Sequence, residues 1–144
     1  MADSLWYERF PARLVLEKET MAEKFPQFQL FRDRETLRLY WDGTLTSNSN
    51  SKYQVLVEYQ NDFPDTLPKA FPVNPEIEIW RDERWRMHQY SDRSLCLFHP
   101  NDRFADSNTT AVLVVAAASA WLFAYEQWEA SGHTIWPGID ADER

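Results

Sequence analysis

Residues 53–68 read YQVLVEYQNDFPDTLP, and the change of character inside this stretch decides the fold. Tyr53, Val55, Val57 and Tyr59 alternate with Gln54, Leu56 and Glu58, a period of two that places one set of side chains on one face of a half-buried strand. Pro64 and Pro68 then open a cluster that continues with Pro72 and Pro75, and each proline removes a backbone donor and fixes its own φ. No helix fits there. Upstream, TSNSNSK from Thr46 to Lys52 is a polar loop; before it Leu37, Leu39 and Trp41 alternate with Arg38 and Tyr40, and Phe28 and Leu30 with Gln27 and Gln29. Strands in series across a polar loop predict an antiparallel meander. Downstream, Ile77 and Ile79 between Glu76 and Glu78 predict a short fourth strand.

Helices bracket this sheet. Leu14, Val15, Lys18, Met21, Ala22 and Phe25 recur at helical spacing, with Pro11 in the first turn or, alternatively, a start near Asp3 or Ser4 and a kink at Pro11, and Pro26 ends the run. Residues 81–108 are charged and without periodicity, and a long ordered loop in a compact domain is usually functional. Cys96 lies in it. From Thr109 or Thr110, either a good cap, AVLVVAAASAWLFAYEQWEA predicts a helix to about Glu129 whose alanines let a sheet approach closely. Ser107 to Tyr125 is uncharged, but Ser107, Asn108, Thr109, Thr110 and Ser119 leave it short of a membrane span, so it reads as a buried helix. The order predicts one α+β domain over residues 1–144, with an N-terminal helix, a four-stranded antiparallel meander sheet backed by helices on one side, a long loop and a C-terminal helix.

Composition narrows the function. With 44% apolar and 15% aromatic residues in 144, the chain can offset the entropy of ordering itself. Fifteen basic against 23 acidic residues leave a net charge of −8, which repels phosphate backbones and anionic lipid; nucleic acid and membrane surfaces are not expected partners. The 3 glycines include no closely spaced set, so neither a P-loop nor a dinucleotide turn can be built. No cofactor is expected. The single cysteine allows no intrachain disulfide and no multi-cysteine zinc site. A reducing, cytoplasmic setting fits it, and MADSLWYERF lacks the features of a signal peptide.

Cys96 stands between Leu95 and Leu97, which suits a small buried hydrophobe. Against that, Arg86, His88, Arg93, His99 and Arg103 lie close in sequence, and positive neighbours favour a thiolate. A cysteine hydrolase would use His88, His99 or His133 as base. A zinc site from His88, Cys96, His99 and an acid has one thiolate and no closed structural spacing, so no metal is expected. Arg81, Arg84 and Arg86, interrupted by Asp82 and Glu83, read as a solvated, self-paired face or a docking patch. Trp121, Phe123, Tyr125 and Trp128 read as core, and Trp136-Pro137-Gly138 as a turn that packs back on the domain.

The strand of Tyr53 to Tyr59, FPDTLP from Phe63 to Pro68, HQYSDRSLCLF from His88 to Phe98, the helix with WLFAYEQW, and SGHTIWPG from Ser131 to Gly138 together resemble the ubiquitin-conjugating enzyme fold. The chain is most similar to its prokaryotic branch, whose bacterial members occur in anti-phage operons beside a cGAS/DncV-like nucleotidyltransferase or a ubiquitin-like protein. The resemblance implies that Cys96 accepts the C-terminal glycine of such a partner as a thioester and passes it to an amine, with His88 supporting the loop. It implies a separate activating enzyme, or a partner that supplies the activated end by another route. Two departures stand out. His88, Gln89 and Tyr90 replace the family's His-Pro-Asn turn, removing its oxyanion asparagine, while His99, Pro100 and Asn101 spell that triplet after the cysteine instead. A non-catalytic partner-binding module of the same fold is the alternative.

Overall fold

Pro11 decides how the chain enters the fold. In the computed structural model, which describes residues 4–83, 88–98 and 109–137, a short helix α1 (Trp6–Arg9) ends at Phe10, whose φ of −128° and ψ of 66° are not helical. Helix α2 (Pro11–Lys24) then begins with the proline in its first turn, where a missing N–H leaves no bond unmade. The start with Pro11 in the first turn therefore occurs, whereas the earlier helix begins at Trp6 rather than near Asp3 or Ser4 and is separated from α2 by a break at Phe10. Trp6 is buried against Tyr59 and Phe63, with ring centroids 4.8 and 4.6 Å away. The inner face of α2 is turned from the one the apolar spacing predicts: Glu17 and Met21 are buried, whereas Val15 is 52% exposed.

Strands β1 (Gln29–Arg32), β2 (Leu39–Thr46), β3 (Lys52–Glu58) and β4 (Lys69–Asn74) form one antiparallel sheet in the order β1-β2-β3-β4. Trp41 pairs with Val57, Leu45 with Tyr53 and Val57 with Ala70, and all of these point into the core. Val55 and Val57 are fully buried, each worth roughly 1.5–3 kcal/mol of transfer free energy. Gly43 is the inward residue of β2 that leaves room for the Phe28 ring, since a Cβ there would run into it.

The fourth strand is not at Ile77 and Ile79 but at Lys69–Asn74, inside the proline cluster. Pro72 is tolerated because β4 is the outermost strand and because the pairing slips beside it. Gln54 pairs with Asn74 and Val55 with Pro72, so Val73 is the extra residue of a bulge. Ile77 and Ile79 are buried anchors of a turn, with Ile79–Arg81 forming a single 3₁₀ turn.

Helix α3 (Ala111–Ala130) packs against α2, β3 and β4 through Val114, Val115, Ala118, Trp121 and Leu122. It is long and apolar enough by length and composition to cross a membrane. Its burial in the core gives such a composition an ordinary reason. Phe123, expected in the core, is 48% exposed, and of the alanines at 116, 117, 118 and 120 only Ala118 is fully buried.

Candidate functional site

Residues 88–96 form a hairpin, which gives structure to the segment read from the sequence as irregular. The amide of Tyr90 donates to the Ser94 carbonyl at 2.9 Å, that of Cys96 to the His88 carbonyl at 3.1 Å, and Gln89 bridges Leu95 between them. The turn closes with the Arg93 amide on the Tyr90 carbonyl at 2.9 Å, and Arg93 itself has a φ of 75°. This is a three-residue loop whose last residue is left-handed, a place that favours glycine or asparagine. Ion pairs to Glu76, and to Glu78 at 2.7 Å, hold the arginine there instead.

The period of two in the hairpin sends Gln89 and Leu95 inward, 1% and 4% exposed, while His88 and Cys96 stand opposite each other. Gln89 uses both ends of its amide. Its nitrogen donates to the carbonyls of Ile77 at 2.7 Å and Arg93 at 3.0 Å, and its oxygen accepts from the Trp80 amide at 3.1 Å. The Leu95 amide donates to the Ala70 carbonyl at 2.9 Å, which lays the hairpin along β4. Asp92 accepts from the amide and hydroxyl of Ser94 at 2.9 and 2.6 Å and pairs with Lys69 at 3.1 Å. Burial opposes its charge, but these bonds together hold its carboxyl below the usual range.

Cys96 emerges from this frame partly exposed and in no disulfide. The carbonyl of His88 accepts from both the Cys96 amide and the Trp121 indole, the latter at 2.8 Å. The His88 ring is buried and stacked on Trp136 at 4.3 Å with 11° between planes. His88 thus sits beside the cysteine through its backbone, with its ring on Trp136.

A second anchor lies where the chain re-enters the described residues after the cysteine. Thr110 occupies the cap position of α3 but makes no side-chain cap bond. Glu17 of α2 does that work, accepting the Ala111 amide and the Tyr59 hydroxyl, each at 2.8 Å. The Trp41 indole donates to the Tyr59 oxygen at 2.8 Å, and Arg13, 3.5 Å from Glu17, also donates to the Thr109 carbonyl at 2.7 Å. Burial outweighs these bonds and raises the Glu17 carboxyl above its ordinary pKa.

Sequence reasoning singled out Cys96 and His88, and the hairpin brings them together. His133 stands elsewhere, stacked on Trp128 at 4.1 Å. His99, Asn101, Arg84, Arg86 and Arg103 lie outside the described residues. Of the basic run, Arg81 pairs with Glu78 at 2.7 Å and stacks over Trp80. Among the described residues, no three His, Cys, Asp or Glu side chains converge as metal ligands do. Arg93 was read only as a positive neighbour of the cysteine. Gln89 was visible only as a departure from the family turn, and Glu17 carried no signal at all.

No curated protein and no solved structure matches the chain. A family model described as Type II CBASS E2 protein matches residues 17–143. That match runs from the buried glutamate of α2 through the sheet, the hairpin and α3, so the chain belongs to the Type II CBASS E2 proteins, a bacterial anti-phage family of ubiquitin-conjugating-enzyme-like proteins.

Proposed function

We propose that this E2-like protein is an acyl carrier and transferase, in which Cys96 takes the C-terminal glycine of a partner protein as a thioester and hands it to an amine. The observation that carries the reading is the position of the chain's single cysteine, partly exposed at the end of a hairpin braced by Gln89, Ala70 and His88. In loading, the Cys96 sulfur attacks a glycine carbonyl already activated as an acyl adenylate or as another thioester. The new C–S bond forms as the acyl carbon's bond to the AMP oxygen, or to the donor sulfur, breaks, and AMP or the donor thiolate departs. In transfer, an amine adds to the thioester carbonyl, the C–N bond forms, the C–S bond breaks to return the thiolate, and the amine's proton passes to solvent. A thiolate serves both steps because it is a good nucleophile and a good leaving group near neutral pH.

In this reading His88 supports the hairpin and transfers no proton, and the cysteine works without metal or nucleotide. The partner is a protein ending in glycine, a cGAS/DncV-like nucleotidyltransferase or a ubiquitin-like protein. The 144 residues act as one domain in the cytoplasm, and activation comes from a separate chain or from the partner's own activated end. The test is a pair of variants co-expressed with the operon partner. Cys96→Ser is expected to trap the adduct as an oxyester that survives thiols, because an alkoxide is a far poorer leaving group. Cys96→Ala is expected to form none. Hydroxylamine cleavage of the wild-type adduct separates a thioester from a disulfide. If Cys96→Ala kept full anti-phage activity and the same partner, the non-catalytic binding module would replace this reading.

A further inference from the structure

We infer that Trp136 is a positioning residue for Cys96: the segment Ser131–Trp136 is a strap that turns back from the end of α3 and fixes the hairpin by a ring stack on His88. The inference rests on Cys96 being the acyl-bearing residue.

A helix can end at one left-handed glycine, but this one does not stop there. Gly132 has a φ of 74° and His133, next to it, a φ of 64°. The amide of Gly132 donates to the Glu129 carbonyl and that of His133 to the Trp128 carbonyl, at 3.1 and 3.0 Å, while the His133 ring lies on Trp128. Ser131 closes the turn. Its hydroxyl donates to the Trp128 carbonyl at 2.7 Å and accepts the amides of Thr134 at 3.2 Å and Ile135 at 3.0 Å, and the Thr134 hydroxyl returns to the Ser131 carbonyl at 2.8 Å. These bonds spend a second left-handed residue and a serine hub on carrying the chain past the helix end to the hairpin.

What the strap delivers there is one ring. Trp136 lies parallel to the His88 imidazole at 4.3 Å and edge-on to Trp121 at 5.4 Å. Trp121 in turn donates its indole N–H to the His88 carbonyl. His88 is therefore gripped by its ring from the strap and by its carbonyl from α3. That carbonyl is the acceptor that holds the Cys96 amide. Removing Trp136 takes the stack off the His88 ring and leaves the carbonyl held by Trp121 alone, which loosens the bond that sets the cysteine's backbone.

The experiment uses the full chain as wild type, Trp136→Ala, Trp136→Phe and Ser131→Ala. Amide hydrogen exchange at Cys96 is read by NMR and alkylation of the single thiol by iodoacetamide; neither needs a partner. Trp136→Ala is expected to speed Cys96 exchange by about tenfold, the scale of a lost aromatic stack and its local burial, with the amides of β3 unchanged. Trp136→Phe is expected to restore most of the protection, and Ser131→Ala to lie between. Alkylation is expected to rise with exchange. Wild-type exchange at Cys96 in a folded Trp136→Ala overturns the inference, and if that variant does not fold, wild-type exchange in Ser131→Ala does so. Normal partner adduct on a Trp136→Ala protein with fast exchange overturns the positioning role. Failure of Cys96→Ser to trap any adduct overturns the carrier reading, while leaving the strap's hold on the hairpin standing.

Discussion

Replacing Glu17 by alanine is expected to remove a large share of the protein's stability, although Glu17 sits in a helix far in sequence from the cysteine. The side chain is 0% exposed, and it holds the Ala111 amide and the Tyr59 hydroxyl at 2.8 Å, with Arg13 at 3.5 Å. Alanine removes a helix cap worth about 1 kcal/mol. It also leaves the Tyr59 hydroxyl without its acceptor, at about 1–3 kcal/mol, and removes the carboxylate that faces the Arg13 guanidinium. Since such terms overlap, the expected loss is about 3–5 kcal/mol, the range for breaking a buried pair from one side. Glu17→Gln retains one acceptor oxygen and is expected to lose about 1–2 kcal/mol. The two proteins also differ with pH. Because burial raises the carboxyl above its ordinary 4.5 in the folded state, the folded protein binds more protons than the unfolded one in that window, and this contribution falls as pH climbs from 4.5 through the raised value. The glutamine does not titrate, so the advantage of wild type over Glu17→Gln is expected to shrink with rising pH. Denaturant unfolding of all three proteins at several pH values between 4.5 and neutrality measures both effects. A loss under about 1 kcal/mol in Glu17→Ala, or a wild-type advantage that grows with pH, refutes the reasoning.

Two further outcomes follow from the packing. Gly43→Ala forces the Phe28 ring to move and is expected to cost about 1–3 kcal/mol in thermal or denaturant melts; a variant as stable as wild type would show that β2 and Phe28 do not approach so closely. Glu126 accepts the hydroxyls of Tyr53, Ser47 and Ser49 at 2.7, 2.9 and 3.1 Å, and although burial raises its pKa, these bonds together hold it below 4.5. Its stabilising effect is then complete above 4.5 and lost as pH falls through the depressed value, so Glu126→Gln is expected to flatten the acid limb of the stability curve and to expose the loop of Ser47 to Ser51 to proteases. An acid limb identical to wild type would refute this.

The meander was legible because β2 and β3 keep strict alternation, and one face of each is buried. The fourth strand was not, because Pro72 argues against a strand to any reader who does not know that β4 is at the edge. Ile77 and Ile79 imitate a strand, since a turn that buries two anchors two residues apart has the same pattern. The hairpin around Cys96 was hidden by Arg93, which takes the left-handed position without being glycine or asparagine and relies on Glu76 and Glu78, residues that only the fold brings near. Thr109 and Thr110 were read as caps on local grounds, and a residue from another helix took the role. Cys96 and His88 were legible as neighbours through a resemblance, whereas Gln89, which shapes their hairpin from beneath, has bonds to Ile77, Trp80 and Arg93 that no spacing rule encodes.

Glu17 and Ala111 stand 94 residues apart. A ribosome adds roughly 5–20 residues per second, so the carboxylate is made seconds before the amide it will cap. During that interval the nascent chain carries a meander whose inner face has no α3 to cover it, a natural client for chaperones that bind apolar strands. The thiol at Cys96 is likewise synthesised before Trp121 and Trp136, the two rings that grip His88. A partner that met the growing polypeptide would find a cysteine with no fixed seat. The seat of Cys96 is complete only once α3 and the turn behind it have been made.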